Sequence, residues 1–276
     1  MLSQMFEYEF VRFAFFATIA ISLSCGILSP IVVLKERSYL SDTISHLIFP
    51  GVITGYILSK LFMWPLGYCL LSGAVVTAFL GTFISEFIFK TLKIPPDSCA
   101  IMSLAGFFSM GVILLSHFKN VHISADSILF GDVLTVQKNE LIILVVVAIL
   151  NLLTILFLEK HWMAWISDGE FSFIAGYKTK MLDKLFPILL TTTILTGLFT
   201  VGSLMISAFI IFPAILSNPK KILSWKTLTI SVFCAIIGFI ASFQINWPVG
   251  PSIVLFGFCL IVLKSLIKKL SRRIHI

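Results

Sequence analysis

An all-α fold of about nine membrane-crossing helices, with eight as the alternative, is what this sequence predicts, and three observations carry it. Hydrophobic residues make up 58% of the 276-residue chain and charged residues 12%, where a soluble domain is roughly a quarter charged. With a mean hydropathy of +1.06, a soluble protein of this length could not hide that much apolar surface. Apolar runs recur at about the 20 residues that a helix needs to cross hydrocarbon. Lys and Arg gather at the run ends, where they set topology. The net charge of +7 is therefore scattered topogenic charge, which excludes nucleic acid as a partner.

In order, the first span covers about 10–34 and stops at Lys35-Glu36-Arg37. Its length, with no small-residue cleavage pattern after it, argues against a cleaved signal peptide. The second covers about 40–62. The turn Met63-Trp64-Pro65 leads to a third at 66–89, closed by Lys90 and Lys93, and the fourth ends near Ser116. Residues 117–140 form a polar connection, and 141–158 is the fifth span. A long polar stretch, 159–184, precedes two short helices between 185 and 216, parted near Thr200-Val201-Gly202. The eighth span is about 225–243 and the ninth about 249–267. With the amino terminus outside, only Arg12, Lys60, Lys119 and Lys138 are external. All other Lys and Arg then lie on the cytoplasmic side, as the positive-inside rule requires. The carboxyl end is then cytoplasmic, and residues 1–276 form one transmembrane domain.

Cys25, Cys69, Cys99, Cys234 and Cys259 lie in apolar runs without a C-x-x-C, and read as small packing residues. Gly51, Gly55, Gly73, Gly81, Gly106, Gly111, Gly202 and Gly257 fit close helix packing. The phenylalanines read as lipid-facing bulk. Pro50, Pro213 and Pro251 are candidate helix breaks along a pathway, or ordinary kinks. Glu86, in the last turn of the third span, can snorkel to the interface or pair with Lys90 one turn on.

The unusual segment is S-D-T-I-S-H-L-I-F-P-G-V-I-T-G-Y (41–56), which opens an apolar span with Asp42 and His46 four residues apart. That spacing puts both on one helix face, where a carboxylate and an imidazole can grip one divalent cation. Ionisable groups within a span are costly and so candidates for function. An alternative is that Ser41 or Asp42 caps the helix start while His46 hydrogen-bonds to another helix. Spacing alone leaves both open. His117, His122, Asp126 and Asp132 in the external loop could help receive an ion, though a solvated loop with Asp126 as a cap reads better. His161 and His275 read as interfacial.

Four stretches recur together in order: R-S-Y (37–39) with D-T-I-S-H and P-G-V; I-L-F-G-D-V-L (128–134); V-G-S-L (201–204) with I-F-P-A (211–214); and W-P-V-G-P-S (247–252). This ordered set resembles the permease subunit of zinc and manganese ABC importers, the ABC-3 family, over nearly the whole chain. It departs at Ser41, where the family has glycine. The resemblance implies a permease that dimerises, works with two copies of a cytoplasmic ATPase, and receives its ion from an extracytoplasmic metal-binding protein. It favours Asp42 and His46 as a transient metal site shared between two copies, zinc first and manganese second, with no permanently bound cofactor. It also makes 160–184 a coupling segment toward the ATPase. There Ser167 or Asp168 would start a short helix with Glu170, Phe171, Ile174 and Ala175, ended by Gly176, and an exposed Phe/Ile face needs a partner to cover it. The chain has no G-x-x-x-x-G-K-[ST] loop, so ATP would be hydrolysed on the partner subunit. A proton-coupled secondary transporter is the rival reading. An integral-membrane enzyme is weaker still, since H-E-x-x-H and any convincing nucleophile–base set are absent.

Overall fold

The computed structural model describes residues 8–117, 131, 133–167, 169–219 and 222–274. Eleven α-helices lie among them: α1 (Glu9–Leu34), α2 (Ser38–Phe62), α3 (Leu66–Leu92), α4 (Pro96–His117), α5 (Lys138–Phe157), α6 (Glu159–Ser167), α7 (Gly169–Ile174), α8 (Thr179–Val201), α9 (Ser203–Ser217), α10 (Trp225–Ile245) and α11 (Val249–Ile274). Eight of these are long and apolar enough to cross a membrane. The exception among the apolar helices is α9, whose 15 residues extend about 22 Å, short of the roughly 30 Å of hydrocarbon.

Although short, α9 runs back antiparallel to α8. Thr193 of α8 lies level with Ser24 of α1 (3.4 Å between hydroxyls), and Gly197 is next to Ile21. In α9 the order reverses, for the Ala214 N–H donates to Ser29 Oγ at 3.0 Å. The reversal happens at Gly202, with φ 83° and ψ 159°, a conformation that glycine alone adopts without cost. Gly131 packs against that same backbone, where a Cβ would meet the carbonyl carbon of Val201 at 2.7 Å. Two of the sequence stretches that travel together thus meet in space. Farther on, the Lys264 ammonium in α11 donates to the carbonyls of Ile215 and Leu216 at 2.8 Å each. The last helix therefore finishes at the end of the bundle where α1 finishes, opposite the end where α1 begins.

The core is built on α1, buried from Ala14 through Val32 along most of its surface. Against it lie α5, α8, α9 and α10, with large buried side chains such as Ile21, Leu28, Phe186 and Phe239. Phe186, Phe209 and Phe239 are core residues, so the phenylalanines are not uniformly lipid-facing. They fill wide gaps between helices that small residues cannot. Helices α2 and α3 approach most closely, through Gly51, Gly55 and Gly73; a Cβ on any of them would overlap backbone of the facing helix. Gly106 meets nothing within 4 Å, so close packing is not its role. Four cysteines are buried and Cys259 is exposed. Helices continue through Pro50 and Pro213, and Pro251 stands in the first turn of α11, where the missing N–H has no helical partner to lose. None of the three prolines breaks a helix; the discontinuity is at Gly202.

Polar groups inside the bundle are mostly satisfied locally. Asn151 of α5 donates to Ser24 of α1 at 2.6 Å and to Thr193 of α8 at 2.7 Å, tying three helices where water is excluded.

Candidate functional site

Helix α2 starts at Ser38, with Arg37 at the N-cap and no side-chain cap. Ser41 Oγ donates to the Ser38 carbonyl at 2.9 Å, and Asp42 lies in the second turn. The capping alternative for Ser41 and Asp42 is therefore overturned: both lie past the four orphan N–H groups that a cap serves. Helix α2 packs on α3, α4, α8 and α9; its first half is mostly buried, and past Ser38 the accessible residues there form one stripe, Tyr39, Asp42, His46 and Phe49. That +3, +4, +3 spacing is a single helix face.

On this stripe His46 Nε2 is 3.9 Å from Asp42 Oδ1, with side chains 32% and 46% exposed. The gap is too long for a hydrogen bond. Ligand bonds near 2.0–2.2 Å put two donors on one ion roughly 3–4 Å apart, so the pair has the spread of two ligands of one cation. The His46 ring is edge-on to Phe108 of α4 (6.4 Å between centroids), and Phe108 stacks on Phe49 at 5.3 Å. These aromatics fix the imidazole face. Among the described residues neither Asp42 nor His46 bonds to another helix, and no group of three or more metal-ligating side chains occurs. One chain offers two candidate ligands, not a closed shell.

Five residues before Asp42, Arg37 forms a buried ion pair with Glu86 of α3, side chains 9% and 10% exposed. The Glu86–Lys90 pairing expected from their spacing does not form. A buried guanidinium needs a counter-charge, and Glu86 provides it, while Lys90 reaches Asp183 of α8 at 3.4 Å. Burial pulls the Arg37 pKa down from its ordinary value, opposed by the nearby charges of Asp183 and Asp97. Asp97 also accepts the Tyr39 N–H at 3.3 Å.

The segment 159–177 folds as two short helices, α7 within the stretch where the sequence places one and α6 before it. Helix α6 is held by buried Trp162 and Trp165, and Trp165 Nε1 donates to Asp183 Oδ1 at 2.8 Å. The Ser172 hydroxyl joins α7 to α6 through the Ala164 carbonyl at 2.8 Å. Gly176 then turns the chain at φ +85°. Ile174 is 82% exposed, and Ala175 and Gly176 are exposed beside it. Asp168 and the side chains of Glu170 and Phe171 lie outside the described residues, as do His122, Asp126, Asp132 and His275. His117 is at the end of α4 and His161 is edge-on to Tyr177 at 5.7 Å. Sequence reasoning missed Trp165 and Asp183. Their signal was faint, an indole and a carboxylate inside a polar stretch, 18 residues apart.

A bundle of eight long apolar helices with a short returning one, and no strand among the described residues, is the fold of a polytopic integral-membrane protein. Residues 7–268 match the model of the ABC 3 transport family, and the chain belongs to that family as an ABC transporter permease. It is 30% identical over 261 residues to the chelated iron transport system membrane protein YfeD of Yersinia pestis, spanning 92% of this chain and 84% of that one. It is 24% identical to the manganese transport system membrane protein MntC of Halalkalibacterium halodurans, spanning 94% of this chain and 88% of that one. Its fold is similar to the structure of PsaBC from Streptococcus pneumoniae in complex with Fab, with a TM-score of 0.77 at 24% identity over 95% of both chains.

Proposed function

We propose that this permease imports a divalent first-row transition metal ion, with Asp42 and His46 as its transient ligands in the pathway. The observation that carries the reading is their placement together on the accessible stripe of the mostly buried first half of α2. A second copy facing that stripe would complete a shell of two carboxylates and two imidazoles. Few, partly hydrated ligands suit an ion that must also leave. The names of relatives, manganese and chelated iron, move the cargo toward manganese or iron and make zinc third. A carboxylate–imidazole set accepts all three, and selection then rests on geometry and supply.

In this reading the Lys35–Arg37 end of the bundle is cytoplasmic, following the positive-inside rule. The exposed Ile174–Gly176 surface receives a separate ATPase, and an extracytoplasmic binding protein delivers the ion at the opposite end. The test is uptake of manganese, iron and zinc in cells lacking their own high-affinity importers, with the ATPase and binding protein co-expressed. Asp42→Ala and His46→Ala are each expected to cut uptake at least tenfold while membrane insertion and ATPase association persist. Unchanged uptake in both variants overturns the site. Transport by the purified chain alone in proteoliposomes would replace the ATP-driven reading with a secondary transporter.

A further inference from the structure

We propose that Arg37, Glu86, Lys90, Asp183 and Trp165 form a strut that carries displacement of the α6–α7 segment to the start of α2, making them positioning residues for the Asp42–His46 pair. The proposal rests on the reading that the ATPase docks at α6–α7. The strut is continuous in space. Helix α7 is fastened to α6 by Ser172 on the Ala164 carbonyl. From α6, the Trp165 N–H holds Asp183 Oδ1 at 2.8 Å, and the other carboxylate oxygen of Asp183 faces Lys90 Nζ at 3.4 Å. Lys90 stands one turn beyond Glu86 on α3, and Glu86 holds Arg37.

A parallel apolar path reinforces this polar one. Phe186 of α8 lies 5.7 Å from the Trp165 ring, and the Arg37 guanidinium carbon is 5.9 Å from the Phe186 ring and 4.8 Å from that of Phe89. Lys35 Nζ is 4.3 Å over the Trp165 ring. Both residues flanking the α1–α2 turn thus touch groups that position α6.

Charges bought at a desolvation cost hold register rather than adding net stability. A buried guanidinium that loses Glu86 has no water to fall back on, so the start of α2 must follow wherever the α3–α8–α6 junction goes. Asp42 is five residues along the same rigid helix, about 7 Å up its axis, with no break between. Asp42 and His46 ride on that helix together, so a shift of α2 moves both as one unit relative to Phe108 of α4.

The experiment uses the full complex of permease, ATPase and binding protein. Hydrogen–deuterium exchange of the peptide covering 38–46 is compared with and without a non-hydrolysable ATP analogue. Wild type is expected to show a nucleotide-dependent change there. Asp183→Asn, which keeps an acceptor for Trp165 but loses the charge facing Lys90, and Trp165→Phe, which keeps the ring but loses the N–H, are expected to lose at least half of that response. Ion uptake per ATP hydrolysed should fall at least fivefold in both while ATPase activity stays within twofold. The exchange of charges, Arg37→Glu with Glu86→Arg, should restore coupling that Arg37→Glu alone removes. A wild-type complex that assembles but whose 38–46 exchange ignores nucleotide, or variants that keep the full response, overturns the strut and leaves the metal site standing. An ATPase that does not co-purify with wild-type permease fails the docking reading and the strut with it.

Discussion

The two acid–base pairs at the start of α2 are only five residues apart and contrast in every physical respect. Asp42 and His46 lie on one helix, half-exposed, separated by 3.9 Å and bonded to no other helix among the described residues. Arg37 and Glu86 come from different elements and are buried, backed by Phe89 and Phe186. An exposed pair of this length adds at most a few tenths of a kcal/mol to stability, so little is lost when its interaction is broken. A buried pair that loses a member strands a charge in low dielectric, which costs about 3–5 kcal/mol.

That contrast can be broken or sharpened by thermal unfolding of the purified permease in detergent. Glu86→Ala should have the largest effect, lowering stability by about 3–5 kcal/mol, while Asp42→Ala changes it by no more than about 0.5 kcal/mol. Equal shifts for the two would erase the distinction. Next comes Gly202→Val at the α8–α9 reversal, expected to cost about 1–3 kcal/mol because its φ of 83° and ψ of 159° suit glycine alone. An unchanged melting temperature there would mean that the reversal tolerates another backbone path. Smaller than the Gly202 effect is that of Asn151→Leu, which removes two interhelical hydrogen bonds and should cost about 0.6–2 kcal/mol. A stabilising result would show that the apolar volume at α1, α5 and α8 outweighs the bonds.

Much of the architecture was readable before any coordinates. Apolar length and end charges located the helices, and the glycine between Val201 and Ser203 marked the reversal. What escaped was partnership. Glu86 and Lys90 are one turn apart on α3, so local spacing paired them, yet each found a stronger opposite charge across a helix interface. Burial of Arg37 made its claim on Glu86 the costlier one to refuse. Within 159–177 the sequence marked a short helix begun by Ser167 or Asp168 and ended by Gly176, whereas α6 before it escaped, because nothing local says that a tryptophan in a polar stretch faces inward. The prolines were open to either reading, breaks or ordinary kinks, and the helices continue through Pro50 and Pro213.

By itself the sequence determined what is one-dimensional: that the chain lives in a membrane, roughly where it enters and leaves, and that Asp42 and His46 share a helical face. These follow from the length of apolar runs and the 3.6-residue period, both properties of contiguous chain. Only tertiary structure decided which face of α2 stays accessible, which carboxylate neutralises Arg37, and that the α6–α7 segment reaches the α1–α2 turn through Asp183. Those depend on which helices become neighbours. Pairing across a bundle is set by the total burial of many side chains at once, which no single stretch of sequence encodes.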